Sequence, residues 1–366
     1  MAKTTKKRKQ NKEKKKASAL KAAGIVVLIV LLLAVFVLGG FVLAKEKGRK
    51  EMLGKGDGQV PLTAPALEEQ EVILEDDGEI VIYNGQRYRY NENITSVLCM
   101  GIDREGWNEE ENVVGTSGQA DMLMLAILDT QSGRVKLWNI SRDSMVDVDI
   151  YDTEGNFAKT ESMQLCLAFA YGDGKEGSCQ NTLRSVSRLL YGMPVQSYAA
   201  LDMDAIVPLN DAVGGVEVTI HEEDILPGGF VPGTTMLLQG EEARAYVQSR
   251  RTELPDEALD SNNNRMDRQK QYMMSFIQKA LQQTKRDIST PVKLFQVAME
   301  GDNMVTNLTV SRVSYLASIF KNVNFSEESF QTVPGEVIKG ESYAEYHVDD
   351  QALYEMILDA FYLKED

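Results

Sequence analysis

Histidine is nearly absent from this chain of 366 residues: His221 and His347 are the only two. Catalysis built on a histidine base is therefore weakly supported. Cysteine is almost as scarce, with Cys99, Cys166 and Cys179 in all and no CxxC pair, which argues against zinc chemistry. Cys99 falls in the apolar run VLCMG and reads as a small buried hydrophobe. Cys166 and Cys179 flank the loop AYGDGKEGS, and on the oxidising side of a membrane they form a candidate disulfide. There is no internal repeat and no low-complexity region beyond a basic N-terminal tail. At 43% apolar residues the chain has ample material for a packed core, so global disorder is excluded.

Positive charge is also in short supply, except at one end. Residues 1–21 hold ten Lys or Arg against the single acid Glu13, whereas the other 345 residues carry 29 basic and 54 acidic side chains, a net of −25. Between these parts runs Ala22 to Ala44, 23 residues without a charge. That exceeds the roughly 20 needed to cross a bilayer, and it reads as a transmembrane helix. The basic excess before it places residues 1–21 in the cytoplasm and everything after Lys45 outside, giving a single-pass membrane protein with an extracytoplasmic domain. A cleaved signal peptide is the alternative reading, but the run is longer than the 7–15 apolar residues typical of one. The basic arm has no interleaved aromatics and is too short for a DNA-reading module, so it reads as a lipid-contacting arm with no nucleic-acid partner.

Beyond the membrane, residues 45–70 are charged, carry Gly and Pro and lack apolar periodicity, which predicts a stalk. Residues 71–92 hold two alternating runs, the second broken by Asn84-Gly85, a hairpin signal, and read as a small β appendage. Residues 93–366 alternate strand-like and helix-like segments. The expected fold is α/β: a layered α/β/α domain with a mixed central sheet, preceded by one transmembrane helix. Helical spacing is expected over Met163–Tyr171, Thr182–Tyr191, Met203–Val213, Arg265–Gln283, Ser311–Phe320 and Asp349–Tyr362.

The most telling stretch is Asp121 to Asp143, in which two apolar strands joined at Ser132-Gly133 carry an acid at one end and an Arg-Asp pair at the other. Such an arrangement leaves Asp121, Arg142 and Asp143 near one rim of a sheet. Charge there suits a phosphorylated ligand or a divalent cation. Asp103, after the buried run SVLCMGI, joins this group, as do Arg250 and Arg251. So do Arg265 and Arg268, which lie three residues apart and hence on one helix face. Two acids at strand ends suit Mg²⁺, which asks for only one or two carboxylates plus phosphate oxygens. Guanidiniums suit a diphosphate because each is a bidentate donor with a permanent charge. The apolar stretch LAFAYG and the Met-rich helix after Arg268 read either as core or as a pocket for a lipid tail.

Gly-Ile-Asp at 101–103, Ala-Asp-Met-Leu-Met-Leu at 120–125, Ile-Ser-Arg-Asp at 140–143, Ala-Phe-Ala-Tyr-Gly at 168–172, Asp-Ala-Val-Gly-Gly-Val at 211–216 and Arg-Met-Asp-Arg-Gln at 265–269 occur in this order, with Gln-Gly-Glu-Glu-Ala-Arg-Ala-Tyr-Val at 239–247. In these the chain resembles the LytR-CpsA-Psr family, over about Ile94 to Leu281. The resemblance implies an enzyme that moves a glycopolymer from a polyprenyl diphosphate carrier onto peptidoglycan outside the cell. It further implies Mg²⁺ (or Mn²⁺) on Asp103 and Asp121, diphosphate on Arg142, Arg250, Arg265 and Arg268, and catalysis around Asp121, Arg142 and Asp143. The chain departs from the family where a cation usually stands, at Gln119, Gln164 and Gln248. An amide still donates to phosphate but cancels no charge, and a charge-assisted hydrogen bond is roughly twice as strong as a neutral one. Gln119 and Gln248 are thus expected to serve the diphosphate as neutral donors. A noncatalytic protein that binds a polyprenyl lipid or wall polymer is the second expectation.

Overall fold

Where hydrophobic and polar residues alternate in the first part of the domain, they pair. Val72–Glu75 (β1), Ile80–Tyr83 (β2) and Gln86–Tyr90 (β3) form an antiparallel meander. Its β2–β3 turn is Asn84-Gly85, both at positive φ, which a two-residue hairpin of this twist requires. The structure is a computed structural model and describes residues 44–53, 60–67, 70–104, 106–107, 114–222, 224–249, 258–320, 323, 327–340 and 343–365, with the backbone alone at 258–264, 266 and 320. Apart from Ala44, the expected membrane span lies outside the described residues, as do Arg250 and Arg251. No helix among the described residues is long and apolar enough to cross a membrane.

The central sheet is built on Ile94–Ile102 (β4), Ala120–Asp129 (β5) and Val135–Ile140 (β6), successive antiparallel strands. After Met145–Tyr151 (β7) and Phe157–Gln164 (β8), a two-stranded ribbon, come the short helix Leu167–Ala170 (α1) and Glu176–Leu189 (α2). Ser197–Leu201 (β9) then returns parallel to β4, and Ile206–Ala212 (α3) leads to the hairpin of Val216–Thr219 (β10) and Thr235–Leu238 (β11). Three helices follow: Glu241–Gln248 (α4), Ala258–Arg286 (α5) and Thr290–Glu300 (α6). Met304–Thr306 (β12) pairs antiparallel with β9; after Val310–Phe320 (α7), Phe330–Thr332 (β13) pairs parallel with β6. The sheet is therefore mixed, in the order β12-β9-β4-β5-β6-β13. Gly335–Lys339 (β14) and Ala344–Val348 (β15) form a ribbon before Asp350–Phe361 (α8) and Tyr362–Lys364 (β16), and β16 completes the small sheet against β3.

Period-2 geometry sends alternate residues of the apolar runs to opposite faces. Leu98, Met100 and Ile102 of β4, with Leu123 and Leu125 of β5, join one core, which α2 and α8 cover. Val97 and Met124 face the other way into a second core with Tyr315, Leu316 and Ile319 of α7. Helices thus lie on both faces of a mixed sheet, as the sequence predicts. A third core forms around β10, β11, α4 and Tyr272 of α5. Gly215 permits the tight approach of β10 to its neighbour: its φ is +84°, and a Cβ there would sit 2.8 Å from the Leu238 carbonyl oxygen.

Two expectations need correction. Residues 45–52, assigned to a stalk, are helical and dock on the domain: Met52 is fully buried in the second core and its carbonyl accepts a bond from Thr95 Oγ1 at 3.2 Å. The start of the predicted helix Met163–Tyr171 is strand, because β8 runs to Gln164 as half of a ribbon whose outer residues face water. Its exposure removes the apolar signal by which a strand is recognised.

Trp138 of β6 is fully buried, edge-on to Phe361 of α8 at 5.9 Å, and its indole nitrogen donates to Gln331 at 3.1 Å. Trp138→Ala should lower stability by about 3–5 kcal/mol, measured by urea denaturation at constant m-value.

Candidate functional site

Strand β5 begins immediately after Gln119, and β6 ends just before Ser141. Antiparallel pairing of Leu123 with Ile140 therefore brings Asp121 beside Arg142. The Arg142 guanidinium is surrounded by acceptors: its Nη1 donates to Asp121 Oδ1, and its Nη2 to Gln119 Oε1 at 2.5 Å. Nη2 also lies 3.3 Å from Cys166 Sγ, and Nε is 3.6 Å from Asp143 Oδ1. From across the site, Arg265 of α5 reaches Asp121 Oδ2 with its Nη2 at 3.3 Å. Asp121 is thus held between two guanidiniums, one from the sheet rim and one from the long helix. All three side chains are largely withdrawn from solvent.

Asp143 is anchored from two other elements. Gln164, the last residue of β8, donates Nε2 to Asp143 Oδ1 at 2.8 Å and to the Ala344 carbonyl of β15 at 2.9 Å. Tyr346 N donates to the Asp143 carbonyl at 2.9 Å. Burial raises the Asp143 carboxyl above the ordinary carboxylate range, against the pull of Arg142 and Arg265.

Asp103 lies one residue past β4, exposed, and its N–H bonds the Gln119 carbonyl at 2.9 Å. Asp103 and Asp121 therefore stand at neighbouring strand ends. Among the described residues no group of three or more His, Cys, Asp or Glu side chains is arranged to hold a metal. Two hard carboxylates at one rim still match Mg²⁺ if water and ligand phosphate complete its shell.

The other expected residues go elsewhere. Arg268, although three residues from Arg265, is fully buried; its Nη1 donates to Asp224 Oδ1 at 3.0 Å and its Nη2 to the Ser249 carbonyl. It braces the loop regions around Asp224 and Ser249 against α5. Gln248 is exposed at the end of α4. Cys166 and Cys179 are free thiols, both buried, with Cys166 turned to Arg142. Burial raises the Cys166 thiol, so it stays neutral beside the guanidinium, which pulls the other way.

Beside Asp121 opens a cleft of about 800 Å³, its mouth included, between the ends of β4 and β9 and the helix α5. Its walls are mainly Met100, Leu201, Ile206, Tyr272, Met273 and Phe276, with Asp121 and Gln269 on the lining. The Met-rich face of α5 is therefore both core and pocket wall. Sequence reasoning missed Asp202, which also lines the cleft. Asp202 caps the turn after β9 by accepting from Ala205 N at 3.0 Å, and its Oδ2 is buried with no hydrogen-bond partner among the described residues. Burial pushes its carboxyl up to about 6, Asp204 adding to the effect and Arg104 opposing it. The Leu-Asp-Met-Asp run after a predicted strand was the available signal.

The LytR_cpsA_psr family model matches residues 64–360. The chain belongs to the LytR-CpsA-Psr family. It is 26% identical over 246 residues, 65% of this chain, to the polyisoprenyl-teichoic acid–peptidoglycan teichoic acid transferase TagV of Bacillus subtilis, and spans 55% of that protein's length. It is 29% identical over 270 residues to the cell wall biosynthesis protein LcpA of Corynebacterium glutamicum, covering 67% of this chain and 51% of LcpA. The chain spans about half the length of these two relatives. The solved structure of TagT bound to LIIa-WTA shares the fold, with a TM-score of 0.53, 20% identity, and coverage of 74% of this chain and 90% of TagT.

Two stability tests follow from these placements. Arg268→Ala should cost about 3–5 kcal/mol, because it breaks a fully buried ion pair with Asp224 and empties the space the guanidinium fills. Because the folded pKa of Asp202 is raised, the folded state gives up stability as pH climbs from about 4 to 6, on the order of 2 kcal/mol in all. Asp202→Asn should flatten that part of the stability profile in urea titrations run across pH.

Proposed function

We propose that this protein is a membrane-anchored phosphotransferase that moves a glycopolymer from a polyprenyl diphosphate carrier to peptidoglycan. Residues 22–44 would be its anchor, with the N-terminus cytoplasmic and the domain outside. One observation carries the reading: two guanidiniums converge on a carboxylate, Asp121, that lines a mainly apolar cleft. A lipid diphosphate has that same division, hydrocarbon at one end and concentrated negative charge at the other. The names of TagV, a teichoic acid–peptidoglycan transferase, and of TagT bound to LIIa-WTA support the substrate class.

Arg142 and Arg265 would hold the diphosphate. In the free protein their charge is partly offset by Asp121, and a diphosphate, with more charge and more acceptor oxygens, competes for the same donors. Gln119 uses its oxygen on Arg142, so it holds the guanidinium in place. Asp103 and Asp121 would hold Mg²⁺ or Mn²⁺, which when bound offsets charge on phosphate oxygens as the bridge breaks. The apolar cleft would take the first isoprene units and keep water from the reacting phosphorus.

A second reading, a noncatalytic lipid- or polymer-binding protein, draws on the same geometry. Gln119 and Gln164 stand where relatives usually carry cations, and Arg268 is spent on Asp224. Turnover decides between the two readings. The purified full chain, given a polyprenyl diphosphoryl sugar, Mg²⁺ and peptidoglycan, should release polyprenyl monophosphate and label the peptidoglycan; chelation should abolish this. Arg142→Ala should lower kcat by roughly 10²–10³-fold. Tight lipid binding without turnover, unchanged in Asp121→Ala, would establish the binding protein instead. Lipid cleavage that proceeds equally without peptidoglycan would mark a hydrolase. Retention in the membrane pellet after alkaline carbonate washing, lost when residues 1–44 are removed, is the expected result for the anchor.

A further inference from the structure

Three acids stand at the rim, and their oxygens are not equally engaged. Asp121 has both occupied, Oδ1 by Arg142 and Oδ2 by Arg265. Asp103 is exposed. Asp143 has Oδ1 anchored by Gln164, while its Oδ2 takes no hydrogen bond among the described residues. The orientation of the Gln164 amide is dictated by chemistry: its two partners, a carboxylate oxygen and the Ala344 carbonyl, only accept, so the nitrogen must face them. Both hydrogens of that nitrogen are used, one on the acid and one on strand β15. The backbone completes the bracket, since Cys166 N donates to the Arg142 carbonyl and Tyr346 N to the Asp143 carbonyl, each at 2.9 Å.

We propose that Asp143 accepts the proton of the attacking hydroxyl, and that Gln164 is a positioning residue that fixes Oδ1 while leaving Oδ2 open. This rests on the transfer reading above. In the step, the acceptor hydroxyl oxygen bonds to the phosphorus that carries the glycan, and the bond from that phosphorus to the bridging oxygen breaks. The hydroxyl proton passes to Asp143 Oδ2, and the bridging oxygen leaves with its electron pair as polyprenyl monophosphate. Asp143 then loses the proton to water.

The electrostatics agree with this division of labour. A base is most effective when its affinity for a proton approaches that of its surroundings at working pH. Burial moves Asp143 in that direction, and the group touching its Oδ1 most closely is a neutral amide. The charged groups facing it are Arg142 on the sheet rim and Arg265 on α5; the Cys166 thiol beside them is neutral, and β15 contributes the Ala344 carbonyl and Tyr346 N–H. Asp121 pairs with both guanidiniums in the free protein and, once diphosphate takes them, is the carboxylate the transfer reading gives to the metal, which leaves Asp143 as the proton acceptor.

The test is the pH dependence of kcat for the purified full chain with polyprenyl diphosphoryl sugar, Mg²⁺ and peptidoglycan, each variant being checked for an unchanged melting transition. The rate should fall on the acid side as Asp143 protonates. Gln164→Lys should carry that limb to lower pH, because an ammonium favours the carboxylate, and Gln164→Glu should carry it to higher pH. Gln164→Ala should lower kcat roughly tenfold with little change in KM. Asp143→Asn should lower kcat by about 10²–10⁴-fold and remove the limb while donor binding persists. An acid limb that stays in place in both charged variants, or that survives in Asp143→Asn, overturns the assignment although transfer itself stands. A wild type that binds donor and never turns it over overturns the transfer reading, and this proposal with it.

Discussion

Asp121 holds the site together because it answers two guanidiniums from parts of the fold that share no backbone pairing. Arg142 comes from the rim of the central sheet and Arg265 from the long helix that roofs the apolar cleft. Ion pairs are worth little where solvent screens them, but this one is shielded, and stranding any of its charges there is costly. The depth of the cleft mouth, the spacing of the two cations and the register of α5 over β5 are therefore linked. A ligand rich in negative charge would take over the donors that Asp121 now occupies, exchanging one neutralising partner for another without moving the scaffold.

The sequence makes the hairpin from Asp121 to Asp143 legible because an unbroken apolar run on β5 and an apolar/polar alternation on β6 end abruptly in charge, and a one-residue slip of β6 would turn its apolar residues out of the core. The end of Ser197–Leu201 and the helix breaks at Gly192 and at Gly214-Gly215 are equally plain, since each rests on local backbone preference. What stays hidden is anything set by a partner distant in sequence. Arg265 and Arg268 share a helix face to the eye, yet a three-residue step turns the side chains far enough for one to meet Asp121 and the other Asp224. The ribbon of β7 and β8 escapes notice because β8 is solvated almost throughout. Asp202 escapes because a turn-capping carboxylate looks the same whether its second oxygen meets water or hydrocarbon.

The departures from the family pattern change meaning once their partners are known. Considered alone, Gln119 and Gln164 are weakened phosphate donors. In place, one offers its oxygen to Arg142 and the other its nitrogen to Asp143, so both amides serve the protein's own charged groups. Neutral ligands of this kind orient a charge without cancelling it. That leaves the electrostatic balance of the site to three groups, Asp121, Arg142 and Arg265, with Asp143 held slightly apart.

The small sheet has a consequence for how the chain acquires its shape. Strand β3 finds its outer neighbour in β16, and the bond between Arg89 and Glu365 joins residues 276 positions apart. Until a ribosome has delivered β16, the edge of β3 stays open, a template for stray pairing with other chains. Its arginines, Arg87 and Arg89, keep charge on that edge in the interval and later bind Glu365. The same two side chains would thus guard against aggregation during synthesis and latch the finished domain.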